Sequence, residues 1–136
     1  MLHGLVEMKI FLSYARPDQA FANALSEHLT AKGHIVWADF LSLLPGDNWP
    51  LAIGRALDNC DAMVVILSPK SDKSETQRHE INYALGSERY SGKVIPVFIG
   101  PTKNYPWILD EFQSVRVNAN PAAAARQVSD LLRKAG

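Results

Sequence analysis

The chain has 136 residues, 47% of them hydrophobic and 21% charged. These are the figures of one ordinary globular domain, and they exclude a disordered, collagenous or coiled-coil chain. Fourteen Lys and Arg balance fourteen Asp and Glu, and the chain has one cysteine and four histidines; nucleic acid partners, internal disulfides and sulfur-rich metal centres are therefore not expected, and a reducing, cytoplasmic setting fits.

Residues 1–7 lack a basic stretch followed by an apolar one and read as a short N-terminal extension to a domain over 8–136. Lys9 to Tyr14 is a β-rich run that stops at Arg16-Pro17, where proline suits a first helical turn. Ala20, Phe21, Ala24, Leu25 and Leu29 recur at helical spacing up to Lys32-Gly33, a basic last turn followed by a glycine stop. His34 to Ala38 predicts a second strand, Asp39 to Asn48 a loop around Pro45-Gly46-Asp47, and Trp49, Ile53, Ala56 and Leu57 a second helix. Ala62 to Leu67 is apolar on both faces, as in a central strand covered by helices. It is the longest apolar run and far too short to span a membrane, so no membrane partner is expected.

Ser74 followed by Gln77 reads as a capping box opening a helix to about Leu85. Lys93 to Ile99 predicts a fourth strand and Ser114 to Val117 a short fifth; Asn120-Pro121 then caps a last helix carrying Ala124, Val128, Leu131 and Leu132 on one face. Strands alternating with helices imply a parallel sheet with helices on both faces. Ligands in such sheets sit beyond the strands' carboxyl ends, here Ser13 to Arg16, Asp39-Phe40, Ser68-Pro69 and Gly100-Pro101.

Several occupants of that position are excluded. Ser13 to Gln19 contains no glycine, so a dinucleotide fingerprint is missing, and no glycine-rich loop ends in Lys followed by Ser or Thr. The acidic residues of a phospho-acceptor domain are absent at the ends of the first and third strands, and no Gly-x-Ser-x-Gly elbow occurs. Cys60 reads as a small buried hydrophobe. The helix after Ser74 says more. Its inward stripe is Gln77, Ile81, Ala84 and Leu85, and at about 100° per residue Glu80 falls at the stripe's edge, half-buried and near the strand ends. Two readings follow: a rim glutamate pairing with Arg78 or Lys73, or a carboxylate tuned for chemistry. Arg16, Trp49 and Asp39 are open in the same way, as a solvated charge, a core anchor and a turn-starting residue or as ligand contacts.

Taken in order, these segments resemble a TIR (Toll/interleukin-1 receptor) domain over residues 8 to 135, of the prokaryotic-type, NAD-cleaving branch. Ile10-Phe11-Leu12-Ser13-Tyr14 is similar to the family's first strand and Val36-Trp37-Ala38-Asp39 to its second. Leu43-Leu44-Pro45-Gly46-Asp47 resembles its BB loop, Ile66-Leu67-Ser68-Pro69 the third-strand signature, and Ser74 to Ile81 the helix bearing its glutamate. The resemblance implies a flavodoxin-like three-layer αβα fold with a five-stranded parallel sheet of order 2-1-3-4-5. It implies an NAD⁺ nucleosidase that releases nicotinamide and linear or cyclic ADP-ribose, with Glu80 catalytic and NAD⁺ as substrate rather than cofactor. By the same matching Phe11, Ser13, Tyr14, Arg16 and Asp39 line the cleft, with Arg16 toward the diphosphate. Thr76 stands where many NAD-cleaving members have tryptophan, and His79, Trp49 or a second copy would have to supply that surface. The resemblance further implies activation by self-association with other TIR domains through the BB loop Leu43, Leu44, Pro45, Gly46 and Asp47, head to tail, in defence signalling. The alternative it leaves is a non-catalytic TIR interaction module recruiting partners through that loop.

Overall fold

Strand β3 (Ala62–Leu67) is buried along its whole length, and a run apolar on both faces can only be satisfied with a helical layer on each side. The computed structural model describes residues 8–38 and 49–135. In it β1 (Lys9–Ser13), β2 (Ile35–Ala38), β3, β4 (Val94–Phe98) and β5 (Val115–Arg116) form a parallel sheet in the order β2-β1-β3-β4-β5. The order is the expected one.

Alternation along the strands divides the core in two. Ile10, Leu12, Val64, Ile66 and Val97 meet α1 (Gln19–Ala31) and α4 (Pro121–Ala135) through Leu25, Leu29, Val128 and Leu132. On the other face Phe11, Met63, Val65 and Phe98 meet α2 (Trp49–Asn59) and α3 (Glu75–Leu85) through Ile53, Leu57, Ile81 and Ala84. Full burial of each such aliphatic or aromatic side chain contributes about 1.5–3 kcal/mol.

The element boundaries follow local chemistry. Helix α1 ends in a Schellman turn: Gly33 takes φ 96°, its N–H bonds the Thr30 carbonyl, and the His34 N–H bonds that of Leu29. His34 therefore closes the helix, and β2 begins one residue later than its β-rich sequence suggests. β4 is shorter than Lys93 to Ile99 by one residue at each end, yet the Lys93 carbonyl and the Ile99 N–H still bond β3 residues Met63 and Leu67. β5 covers only two residues of the expected four. Three-residue and longer 3₁₀ turns at Arg16–Asp18, Pro69–Lys73, Glu88–Tyr90 and Trp107–Glu111 fill the connections. Among the described residues no helix is long and apolar enough to cross a membrane.

Candidate active site at the carboxyl ends of β1 and β3

Because all strands run the same way, their carboxyl ends share one rim of the sheet. At that rim Ser68 caps the 3₁₀ turn Pro69–Lys73, accepting from the Lys70 N–H at 3.0 Å while Ser71 Oγ accepts from the Ser68 N–H at 3.0 Å. The Ser68 hydroxyl also donates to Asp18 at 2.5 Å, tying the β3 end to the first turn after β1. Ser74 then opens α3 by accepting the Gln77 N–H at 3.2 Å. The expected capping box is only half made, because the Gln77 side chain goes elsewhere: its Nε2 donates to the carbonyls of Ile66 at 2.7 Å and Ser13 at 3.2 Å.

One turn further on lies Glu80. It is 2% exposed, not half-buried, and the Ser13 hydroxyl donates to its Oε1 at 2.8 Å. The helical wheel sets the carboxylate at the edge of the apolar stripe; the end of β1 covers that edge, which the wheel cannot show. The rim-glutamate reading is corrected accordingly. Arg78 and Lys73 are exposed, and Arg78 reaches the Asp72 carbonyl at 3.5 Å. A carboxylate withdrawn from water this far is costly unless hydrogen-bonded, and the serine answers part of that cost, at Oε1.

The other candidates fall at different depths. Phe11 is fully buried and stacks on Trp37, with centroids 5.0 Å apart. Ser13 is fully buried against Glu80. Tyr14 is buried in the α1/α4 core, across the sheet from the cluster to which α3 contributes. Arg16 is exposed on the wall of a groove of about 540 Å³ that also takes in Pro17, Pro69, Lys70, Lys73 and Ser74. Glu80 lies six positions beyond Ser74 along α3, about 9 Å along the axis. Thr76 is half-buried one turn before Glu80, and His79 is exposed. Asp39 and the loop residues Leu43, Leu44, Pro45, Gly46 and Asp47 lie outside the described residues, as does the side chain of Trp49, whose backbone opens α2.

One feature of the rim was not foreseen from the sequence. Lys70 and Lys73 share the groove with Arg16, so three cations face a common space although the whole chain is neutral. Their i, i+3 spacing was the available signal. Among the described residues no group of three or more His, Cys, Asp or Glu could hold a metal ion. Cys60 is buried, and burial together with the neighbouring Asp61 charge pushes its thiol up to about 11.

The family model described as TIR domain matches residues 10–132. The chain belongs to the TIR domain family. Its curated relatives include an NAD(+) hydrolase, TcpA, from a Theionarchaea archaeon (strain DG-70-1), 29% identical over 124 residues and covering 90% of this chain. Another is an NAD(+) hydrolase, PdTIR, from Paracoccus denitrificans (strain Pd 1222), 35% identical over 92 residues and covering 65% of this chain. This TIR domain spans 37% and 30% of those two relatives' lengths. Among solved structures, the TIR domain of the Toll-related receptor TRR-2 from Hydra magnipapillata superposes with a TM-score of 0.71 at 20% identity, covering 90% of this chain and 97% of that one. The interleukin-17 receptor B SEFIR domain superposes with a TM-score of 0.57 at 11% identity, covering 92% and 96%. At those identities both describe the fold alone.

Proposed function

We propose that this TIR domain is an NAD⁺ nucleosidase with Glu80 as its catalytic carboxylate. The observation that carries the reading is the buried Glu80, held by Ser13 at the carboxyl rim of the sheet, in a chain related to two NAD(+) hydrolases. Nicotinamide leaves a cationic nucleotide as a neutral molecule, so its departure needs no proton donor, and the two-carboxylate arrangement of glycosidases reduces to one. The carboxylate stabilises the oxocarbenium-like charge that grows at the ribose as the C–N bond breaks. Water then adds to that carbon and loses a proton, giving ADP-ribose; attack by the adenine ring instead gives the cyclic product. The groove bearing Arg16, Lys70 and Lys73 offers cations to the diphosphate, with the planar fork of Arg16 suited to bidentate contact.

Activity rises with self-association through the loop Leu43 to Asp47, and the physiological setting is cytoplasmic defence signalling. A second reading, a non-catalytic TIR interaction module working through the same loop, draws on Thr76, which sets a methyl and a hydroxyl one turn before Glu80 where a stacking ring would serve a substrate. The discriminating experiment incubates concentrated protein with NAD⁺ and measures free nicotinamide. Glu80→Gln keeps size and hydrogen-bonding capacity but removes the charge, and lowers turnover by about a hundredfold or more with the fold retained. A wild type that releases no nicotinamide refutes the hydrolase reading, and a Glu80→Gln protein that melts normally and turns over at the wild-type rate refutes the assignment of Glu80.

A further inference from the structure

Gln77 occupies a position where the α3 stripe calls for an apolar residue, and it is 1% exposed. A carboxamide buried there is unfavourable unless its hydrogens are bonded. Both are: Nε2 lies 2.7 Å from the Ile66 carbonyl and 3.2 Å from the Ser13 carbonyl. Carbonyl oxygens only accept, so the amide must present its nitrogen to them, and its orientation is set by chemistry. The Ile66 carbonyl takes a second bond from Ser71 Oγ at 3.1 Å, which fixes that end of the bridge to the 3₁₀ turn.

Ser13 is thereby held at two points. Its carbonyl accepts from Gln77 and its hydroxyl donates to Glu80. Gln77 and Glu80 are three residues apart on α3, so helix, amide, strand end and carboxylate close a small ring between α3 and β1. The place matters, because Ser13 is the last residue of β1 and the next side chain, Tyr14, points into the opposite core as alternation requires. With 0% exposure the Ser13 side chain is turned to Glu80 and away from solvent.

We propose that Gln77 is a positioning residue for Glu80, acting through Ser13: it pins the end of β1 so that the serine hydroxyl holds the carboxylate in its reactive place. The proposal rests on the reading of Glu80 as the catalytic carboxylate. Displacements of about half an ångström are enough to degrade such a site.

The test compares Gln77→Met, which keeps length and removes both donors, with Ser13→Ala, Ser13→Thr and the Gln77→Met/Ser13→Ala double variant. Each is assayed for nicotinamide release well below its melting temperature. Gln77→Met and Ser13→Ala each lower kcat by about tenfold with KM within about twofold, and Ser13→Thr, which keeps the hydroxyl, recovers most of the rate. The double variant loses no more than about the larger single loss, because both act along one chain of contacts. Should the methionine variant not fold, Gln77→Asn, one methylene short of both carbonyls, must show the same kcat loss. A Gln77 variant with wild-type kcat, or losses that multiply in the double variant, overturns the proposal. In parallel, the side-chain carboxyl carbon resonance of Glu80, assigned by its disappearance in Glu80→Gln, moves in both Gln77→Met and Ser13→Ala. If the wild type releases no nicotinamide, the hydrolase reading falls by itself, and an unmoved Glu80 resonance in the Gln77 variant then overturns the positioning role.

Discussion

Arg16 stands exposed on the wall of the basic groove while Glu80 is sealed beneath the end of β1, and the two residues fail differently when changed. A diphosphate contact made equally in ground and transition states affects binding more than chemistry. Arg16→Ala therefore raises KM for NAD⁺ by about tenfold, the value of a lost charge-assisted hydrogen bond, with kcat changed much less; steady-state kinetics over a range of NAD⁺ concentrations checks this. Cys60 gives a pH prediction. Its thiol ionises only near 11 against an ordinary 9.0, through burial first and the Asp61 charge second. Alkylation needs an accessible thiolate, so at pH 8 iodoacetamide labels the folded protein slower than the urea-unfolded chain by about a hundredfold or more, the scarcity of the thiolate adding to the burial of the sulfur. Between pH 9.0 and about 11 the unfolded thiol has released its proton while the folded one keeps it, so this residue's contribution to stability declines as pH rises through that window.

Among the elements, the 3₁₀ turn Pro69–Lys73 binds the rim together. Its Asp72 carboxylate accepts from the Thr102 hydroxyl at 2.6 Å and the Asn104 N–H at 3.2 Å, while the Asn104 side chain returns a bond to the Asp72 carbonyl at 3.2 Å. The Thr102 hydroxyl, followed by backbone amides of the same segment, holds the Asp72 carboxyl below the usual carboxylate range. A depressed folded value means that the clamp is intact above the unfolded carboxylate's value near 4 and is lost as pH falls below it. Asp72→Ala speeds hydrogen exchange at the Asn104 amide about tenfold at neutral pH, the effect of one lost hydrogen bond in local opening, and leaves α1 amides unchanged. Wild-type exchange at Asn104, corrected for the intrinsic pH dependence of exchange, approaches that of the variant as pH drops below 4.

At the scale of the whole molecule the charge balance of fourteen against fourteen leaves little long-range repulsion between copies. Leu41, Leu43 and Leu44 in a connection between strand and helix are costly if all face water, and the proposed self-association gives them a partner. Head-to-tail contacts build rings where the rotation between copies closes and filaments where it does not. Specific activity accordingly rises across a hundredfold increase in protein concentration, and Leu44→Asp abolishes the rise by placing an unpaired charge in the contact while the monomer stays folded. Light scattering beside the activity assay separates assembly from unfolding; a strongly active wild type with a flat profile sinks the assembly model.

The order and type of the elements could be read from the chain itself, because period 2 and period 3.6, the Gly33 stop, and the Ser74 and Asn120 caps are local signals that each residue's neighbours interpret. Asn120 does accept the Ala123 N–H at 3.1 Å, and Ser74 that of Gln77. The sheet order followed from the family resemblance, since alternation alone is compatible with several orders. What the chain could not state was the depth and partner of its polar residues. Glu80 lies at the edge of a stripe by angle, yet whether that edge meets water or a strand end depends on β1, 67 residues away. Gln77 has the spacing of a capping-box partner, but two carbonyls, one 64 and one 11 residues distant, compete for its amide and win. Tyr14, by contrast, follows the first strand's alternation into the core that holds Ile10 and Leu12. Local periodicity therefore determined the elements of this protein, whereas the environment of its carboxylate was decided by contacts between residues far apart in sequence, which form only when the parallel sheet brings the ends of β1 and β3 beneath α3.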